Sequence, residues 1–239
     1  MSDVETERRP VVSIVVAAGN GVRMAGSVPK ALRHAAGVPL VTRAVENLAA
    51  GGVDVAVVVV AAGLEQDFAE VLSGVSIPCL FVAGGAERQD SVANGLALLE
   101  SHAAISDTNI VLVHDAARAF APPHLIRRVI DAILAGAEAV APAIGVADSV
   151  RQVSGSGSAV VDRSVLRLVQ TPQGFRREVL HAAHERLGYT HKHVTDDASA
   201  AEAAGHRVTL VDGAREAFKI TEAFDLAVAE ALVARAELV

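Results

Sequence analysis

Six ionisable residues of this chain stand where loops or strand ends would hold them: Arg23, Lys30, Asp115, Arg118, Arg163 and Lys219. Scattered over helix faces such charges would only meet solvent, but at the ends of strands in one sheet they can converge on a ligand. Arg23 and Lys30 belong to the most informative stretch, Val11 to Met24 followed by Pro29-Lys30. There a run of branched apolar residues breaks abruptly into Ala17-Ala18-Gly19-Asn20-Gly21. Ala18, Gly19 and Gly21 carry little or no side chain, so backbone N–H groups can close on an anion, with two cations at the rim. The chemistry this suggests is that of phosphate. Met24 occupies the place of the third glycine of a dinucleotide fingerprint, and no Gly-Lys-Ser/Thr marks a P-loop. The same loop also reads as an ordinary strand-to-helix connection.

Lys219 lies between Phe218 and Ile220, an ionisable side chain among apolar neighbours, which favours a functional use. Asp115 closes the strand-like Asn109 to Val113 with His114. It could accept a hydrogen bond from a sugar hydroxyl, sit near Mg²⁺, or merely cap its turn. Asp196 and Asp197 resemble a metal pair, yet adjacent residues on a helix do not face each other, and stabilisation of a helix's first turn explains them as well. Nine histidines occur without a metal-binding spacing, and no Gly-x-Ser-x-Gly is present.

The elements that must position these residues read as alternating strands and helices. Buried strands are expected at Val11 to Ala18, Val53 to Ala61, Ile77 to Val82, Asn109 to Val113 and Ala137 to Ile144, and strand ends at Val208 to Val211 and Phe218 to Ile220. Helices are expected from Pro39 to Ala50, Gly63 to Leu72, Asp90 or Ser91 to Leu99, Pro122 to Leu134 and Arg176 to Leu187. One more is expected from an N-cap at Thr195, and a last one capped by Thr221 with Phe224, Val228 and Leu232 facing inward. Thr171-Pro172-Gln173-Gly174-Phe175 reads as a turn. The fold class is α/β, a Rossmann-like, mostly parallel sheet flanked by helices, in a single domain over residues 1–239. Residues 148–170 break the pattern: Ser154-Gly155-Ser156-Gly157-Ser158 separates two alternating stretches, the mark of a hairpin arm. Its apolar face needs cover, and a second copy of the chain is the natural source.

Composition narrows the partners. A net charge of −7 argues against nucleic acid as a partner, because phosphate must then be met by a few local cations. The single cysteine, Cys79, lies in a strand-like run and reads as a core thiol in a reducing compartment. The apolar run at Val11 is too short to span a membrane, so a cytoplasmic location is expected.

Read together, several segments resemble one family. These are Ala17-Ala18-Gly19-x-Gly21-x-Arg23-Met24 with Pro29-Lys30, Gly84-Gly85-x-x-Arg88-x-x-Ser91, His114-Asp115-Ala116-Ala117-Arg118, Asp162-Arg163, Gln170-Thr171-Pro172-Gln173, Thr195-Asp196-Asp197-Ala198-Ser199 and Lys219. The set is similar to that of the 2-C-methyl-D-erythritol 4-phosphate cytidylyltransferases of isoprenoid precursor synthesis, in the same order from Val11 to about Leu232. The resemblance implies transfer of a cytidylyl group from CTP to methylerythritol 4-phosphate, with Mg²⁺ and release of pyrophosphate. It implies that Arg23 and Lys30 stabilise charge on the α-phosphoryl group and that Arg163 and Lys219 hold the acceptor phosphate. Ala17, Ala18, Gly19, Gly21, Gly84, Gly85, Ser91 and Asp115 would surround the nucleotide, with Asp115 also nearest the metal. Asp115, Arg118, Ser149, Arg163, Thr171 and Lys219 would line the acceptor side, Arg163 reaching across a homodimer on the arm. Ala86 stands where relatives often carry a polar residue, which leaves cytosine recognition to backbone groups, and Ser149 replaces a frequent Thr. The alternatives are a cytidylyltransferase for another alditol phosphate, such as ribitol 5-phosphate, and a nucleotide-binding regulator without turnover.

Overall fold

The computed structural model describes residues 9–19, 28–187 and 194–236. Gly21 and Arg23 lie outside the described residues. Five apolar runs form the parallel strands β1 (Val11–Val16), β4 (Val55–Val60), β5 (Cys79–Ala83), β6 (Ile110–Asp115) and β7 (Ala139–Gly145), with the short pair β2 (His34–Ala35) and β3 (Val38–Pro39) between the first two. After the hairpin β8 (Val150–Ser154) and β9 (Gly157–Val161) come β10 (Arg167–Val169), β11 (Gln173–Arg176) and β12 (Val208–Asp212). The main sheet has the order β10-β7-β11-β6-β1-β4-β5, with β12 parallel to β7.

Alternation along the strands supplies two cores, because successive side chains point to opposite faces. Val15, Val58 and Leu112 meet α1 (Leu40–Ala50), α2 (Glu65–Val71) and α4 (Pro123–Leu134), which contribute Val45, Phe68 and Ile126. Ile14, Val57 and Val113 meet α3 (Arg88–Ser101), α5 (Arg177–Leu187) and α6 (Asp197–Ala203), which contribute Val92, Leu180 and Ala201. Helices therefore cover both faces, and the C-terminal ends of β1 and β6 are left open at one edge. On α3, Gly95 lets the helix come close, since a Cβ there would lie 2.7 Å from Ile14 Cγ2.

Several local expectations need correction. Gln173–Arg176 is not a turn but a strand, inserted antiparallel between β6 and β7. Its glycine serves packing: a Cβ on Gly174 would lie 2.5 Å from Val129 Cγ1 and 3.1 Å from Leu112 Cδ2. The N-cap of α3 is Glu87, in a capping box with Asp90, rather than Asp90 or Ser91. The N-cap of α6 is Asp196 rather than Thr195, its carboxylate accepting from the Ser199 N–H. Phe218 to Ile220 forms no strand; the segment is held by the buried Ile220, whose N–H donates to the Ala117 carbonyl. Ahead of α7 (Ala223–Ala236), Thr221 does not cap, because the Asp225 carboxylate accepts from Thr221 N, Thr221 Oγ1 and Glu222 N. On that helix Phe224 and Val228 face outward, and Leu226 and Ala229 pack inward.

The hairpin β8–β9 shares no ladder with the main sheet, and its residues are mostly exposed. Arg151 pairs with Val160 and Val153 with Ser158, so the exposed Val153 and Val160 lie on one face together with Arg151 and Ser158. Among the described residues, no helix is long and apolar enough to cross a membrane.

Candidate active site

β1 and β6 run side by side, and Val16 is in register with Asp115. Where they end, the chain enters Ala17-Ala18-Gly19 on one strand and Ala116-Ala117-Arg118 on the other. A cavity of about 250 Å³ opens there, walled by Ala17, Ala18, Gly19, Lys30, Ser91 and Lys219 among others. Gly85, Ala86, Glu87, Arg88 and Asp115 line it as well. Gly84 sits just behind: a Cβ there would meet Ala18 Cβ at 2.6 Å and Ser91 Oγ at 2.9 Å. Gly85 is equally confined, since its Cβ would lie 2.2 Å from Asp90 Cβ. Ser91 Oγ ties this turn to α3 by accepting from Gly85 N and donating to the Glu87 carbonyl.

A second cavity, of about 270 Å³, adjoins the first and is bounded by Arg118, Thr171, Gln173, Thr195, Asp196 and the end of β10. Arg88, Asp115 and Lys219 line both. These three side chains form the partition. Asp115 Oδ1 accepts from Arg88 Nε at 3.1 Å, and Oδ2 accepts from Lys219 Nζ at 2.7 Å. Burial alone would raise the Asp115 pKa, but Arg88, Lys219 and Arg118 outweigh it and hold the carboxyl well below the usual range. For Arg88, burial works against the charge, and Asp197 and Asp115 more than restore it.

The acceptor-side residues are anchored from below. Thr171 Oγ1 accepts from the Asp115 N–H at 3.0 Å and lies 3.2 Å from His114 Nδ1. Burial pushes His114 down to about 4, so at neutral pH its ring is uncharged and Nδ1 can accept from the Thr171 hydroxyl. Arg118 donates to the carbonyls of Ala217 and Val169, fastening the segment that carries Lys219 to the end of β10. Burial lowers its pKa. Gln173 Nε2 donates to Asp196 and its Oε1 accepts from Ala198 N, which fixes the start of α6 beside the second cavity.

The structure thus gathers Ala17, Ala18, Gly19, Lys30, Gly84, Gly85, Ser91, Asp115, Arg118, Thr171 and Lys219 at one sheet edge. Ser149 and Arg163 lie along the arm, and neither lines these two cavities of its own chain; Arg163 donates to the Ala147 carbonyl. Asp196 and Asp197 part company: the first caps α6, and the second is buried against Arg88 and His184. In the sequence Arg88 and Gln173 have a place in motifs but no role in the site, and Asp197 stands only as half of a pair resembling a metal site or as a first-turn carboxylate. The available signal was Arg88 itself, a cation three residues after the Gly-Gly turn. Cys79 is remote from both cavities, and burial pushes its thiol up to about 11. Among the described residues, no cluster of three or more His, Cys, Asp or Glu could hold a metal ion by itself.

The chain is similar to known proteins along nearly its whole length. The family model for IspD, 2-C-methyl-D-erythritol 4-phosphate cytidylyltransferase, matches residues 11–235. A relative from Saccharopolyspora erythraea bearing that name is 48% identical over 232 residues, covering 94% of this chain and 99% of its own. One from Frankia casuarinae is 44% identical over 240 residues, covering 98% of this chain and 86% of its own. The crystal structure of the cytidylyltransferase from Thermus thermophilus superimposes with a TM-score of 0.75 at 34% identity, over 93% of this chain and 98% of that one. With the family model spanning residues 11–235 and a relative 48% identical over 94% of this chain, the chain belongs to the 2-C-methyl-D-erythritol 4-phosphate cytidylyltransferase family.

Proposed function

We propose that the two adjoining cavities divide the reactants of one cytidylyl transfer. The enzyme moves the cytidylyl group from CTP to 2-C-methyl-D-erythritol 4-phosphate, giving 4-diphosphocytidyl-2-C-methyl-D-erythritol and pyrophosphate. The observation that supports the assignment of sites is the shared wall of Arg88, Asp115 and Lys219, which brings a cation to the boundary where two phosphates must meet.

CTP occupies the cavity over Ala17, Ala18, Gly19, Gly84, Gly85 and Ser91, and the family resemblance assigns Gly21 and Arg23 to the same nucleotide. The acceptor lies over Asp115, Arg118 and Thr171. An oxygen of the acceptor phosphate attacks the α-phosphorus; that P–O bond forms as the bond to the bridging oxygen of the β-phosphate breaks, and the electron pair leaves on pyrophosphate. The attacking phosphate is already anionic at neutral pH, so no strong general base is needed. Catalysis then rests on alignment and charge neutralisation. Lys30 and Arg23 stabilise the charge growing on the α-phosphoryl oxygens, and Lys219 holds the attacking phosphate at the partition. Arg163 and Ser149 complete the acceptor site from the arm of a second subunit, whose body covers the exposed face of Val153 and Val160.

Asp115 is the carboxylate shared by the two cavities, with both oxygens already facing cations, while Glu87 lines the first cavity and Asp196 the second. That donor set suits Mg²⁺ held mainly by nucleotide phosphates and water, with one protein carboxylate nearby. When bound there, Mg²⁺ supplies further neutralisation of phosphate charge. The enzyme works in the cytoplasm as a homodimer.

The test is pyrophosphate release with CTP and Mg²⁺, comparing methylerythritol 4-phosphate, ribitol 5-phosphate and no acceptor. Release with methylerythritol 4-phosphate alone is expected. Release with ribitol 5-phosphate alone would reassign the acceptor, and no release with either would favour a binding protein without turnover.

A further inference from the structure

The ion pair at the partition does not end at Asp115. Arg88 Nη1 continues to Asp197 Oδ2 at 2.7 Å, and Asp197 Oδ1 lies 3.0 Å from His184 Nε2. Side chains from α5, α6, α3, β6 and the segment before α7 are joined in a line that terminates, on the cavity side, at the Lys219 ammonium. The inner end of this line is dry: Asp197 is 2% exposed and His184 7%. The reaction steps above use neither Asp197 nor His184. Burying charges costs more than a surface pair would return, so fold stability alone is a weak reason for the arrangement.

Its geometry gives a better one. If Asp115 faced Lys219 alone, the carboxylate could rotate with the flexible lysine and would neutralise most of its charge. Arg88 removes both freedoms. By donating Nε to Oδ1 it fixes the plane of the carboxylate, so that Oδ2 meets Nζ in one direction. By sharing the negative charge of Asp115, it leaves the Lys219 ammonium more of its field toward the cavities. Asp197 keeps Arg88 in place, since burial opposes the guanidinium charge and Asp197 is the foremost group that offsets it. The Arg88 Nε and Nη1 are both engaged by protein carboxylates, which suits a brace.

We infer that Arg88 and Asp197 are positioning residues for cytidylyl transfer, fixing Asp115 and through it the Lys219 ammonium at the boundary between the two substrates. The inference rests on the role given to Lys219 above. Asp197→Asn keeps the shape of the side chain and removes its charge. Arg88→Lys keeps a cation but loses the fork that spans two carboxylates. Each is expected to lower kcat by on the order of 10- to 100-fold, the cost of misplacing a reacting group slightly, with little change in KM for CTP.

The deciding measurement is a double-mutant cycle with Lys219→Ala, run on variants whose circular dichroism and melting show a folded protein. Placed on the Lys219→Ala background, either variant is expected to cause little further loss. An equal fold-loss on both backgrounds would overturn the brace and leave cytidylyl transfer standing, as would unchanged kcat in both single variants. Should Lys219→Ala itself retain parental activity, the role of Lys219 fails and the brace fails with it. Arg88, at the first turn of α3 and 23% exposed, tolerates substitution better than Asp197, so Arg88→Lys keeps the test decisive if Asp197→Asn does not fold.

Discussion

At the scale of single residues, the site is defined by how each charge is compensated. Lys219 is held by a carboxylate in the resting protein and is 40% exposed, whereas Asp115 is only 10% exposed. An incoming phosphate therefore competes for the lysine with a partner that already serves Arg88. Lys30 also lines the first cavity, and the proposed reaction puts it beside the α-phosphoryl group. Lys30→Ala is expected to reduce kcat by on the order of 100-fold or more while changing CTP affinity much less, because the charge is needed most in the transition state. Steady-state kinetics alongside calorimetric CTP binding check this, and matched losses in both would refute it. His114 makes a different, pH-dependent contribution. Its pKa falls from 6.5 in the unfolded chain to about 4 in the fold, so the unfolded state binds more protons between those values. The stability it contributes is complete above pH 6.5 and is lost as pH falls toward 4. Urea unfolding at about pH 7 and about pH 4.5 should show a smaller acid loss in His114→Asn than in the parent, and equal losses would rule the histidine out. The depressed Asp115 and Asp197 add acid sensitivity at still lower pH, below the ordinary carboxylate value of 3.8.

At the scale of elements, the legible parts of the sequence were those with a strong pattern and one explanation. Val57-Val58-Val59-Val60 has no use outside a buried strand, and Lys219 between Phe218 and Ile220 had to be either strained or useful. β11 was hidden because Pro172 and Gly174 are turn residues by habit, yet Gly174 is there for contact with Val129 and Leu112. The inward face of α7 was hidden for the opposite reason: its apolar residues lie on every side and mark no stripe to choose, and the small Ala229 went inward while Phe224 stayed out. Arg88 stood in a motif but received no role, because its partners Asp115 and Asp197 are far away in the chain, and only the sheet order brings them together. The Gly84-Gly85 turn is an element-level device that both views identify. Gly85→Ala would drive a methyl group against Asp90 and disturb the hydrogen bond from Gly85 N to Ser91 Oγ. We expect a loss of about 1–3 kcal/mol in stability together with weaker CTP binding. Gly74→Ala, where a Cβ meets nothing within 4 Å, should leave CTP binding unchanged. Melting curves and CTP titrations of the two variants make the comparison, and normal CTP affinity in Gly85→Ala would mean that the turn does not shape the nucleotide site.

At the scale of the whole molecule, the question is whether one chain contains a complete site. The sheet edge supplies Lys30, Asp115, Arg118, Thr171 and Lys219 from a single body, but Arg163 and Ser149 ride on the arm and line neither cavity beside them. The arm also displays Val153 and Val160 at 75% and 70% exposure on one face beside Arg151 and Ser158, two apolar side chains that a two-stranded ribbon cannot cover alone. Both facts have one economical explanation in a two-fold dimer, in which each arm lies on the partner's body and delivers Arg163 to the partner's acceptor cavity. This arrangement makes a numerical forecast. Mix Lys30→Ala and Arg163→Ala subunits equally, and let them exchange to a statistical population. Half of the dimers are then heterodimers, and each has one site lacking both cations and one site, built from an intact body and an intact arm, lacking neither. Activity should recover to about a quarter of the parental value per subunit, although each variant alone is nearly inactive. If Arg163 instead served the cavity of its own chain, every site in the mixture would lack one cation, and exchange verified by mass spectrometry would restore nothing. The same experiment bears on the arm as an element, because Val153→Asp with Val160→Asp should weaken the dimer and lower activity most at low protein concentration. A variant of that kind that stayed dimeric and active at nanomolar concentration would separate the arm's apolar face from subunit contact.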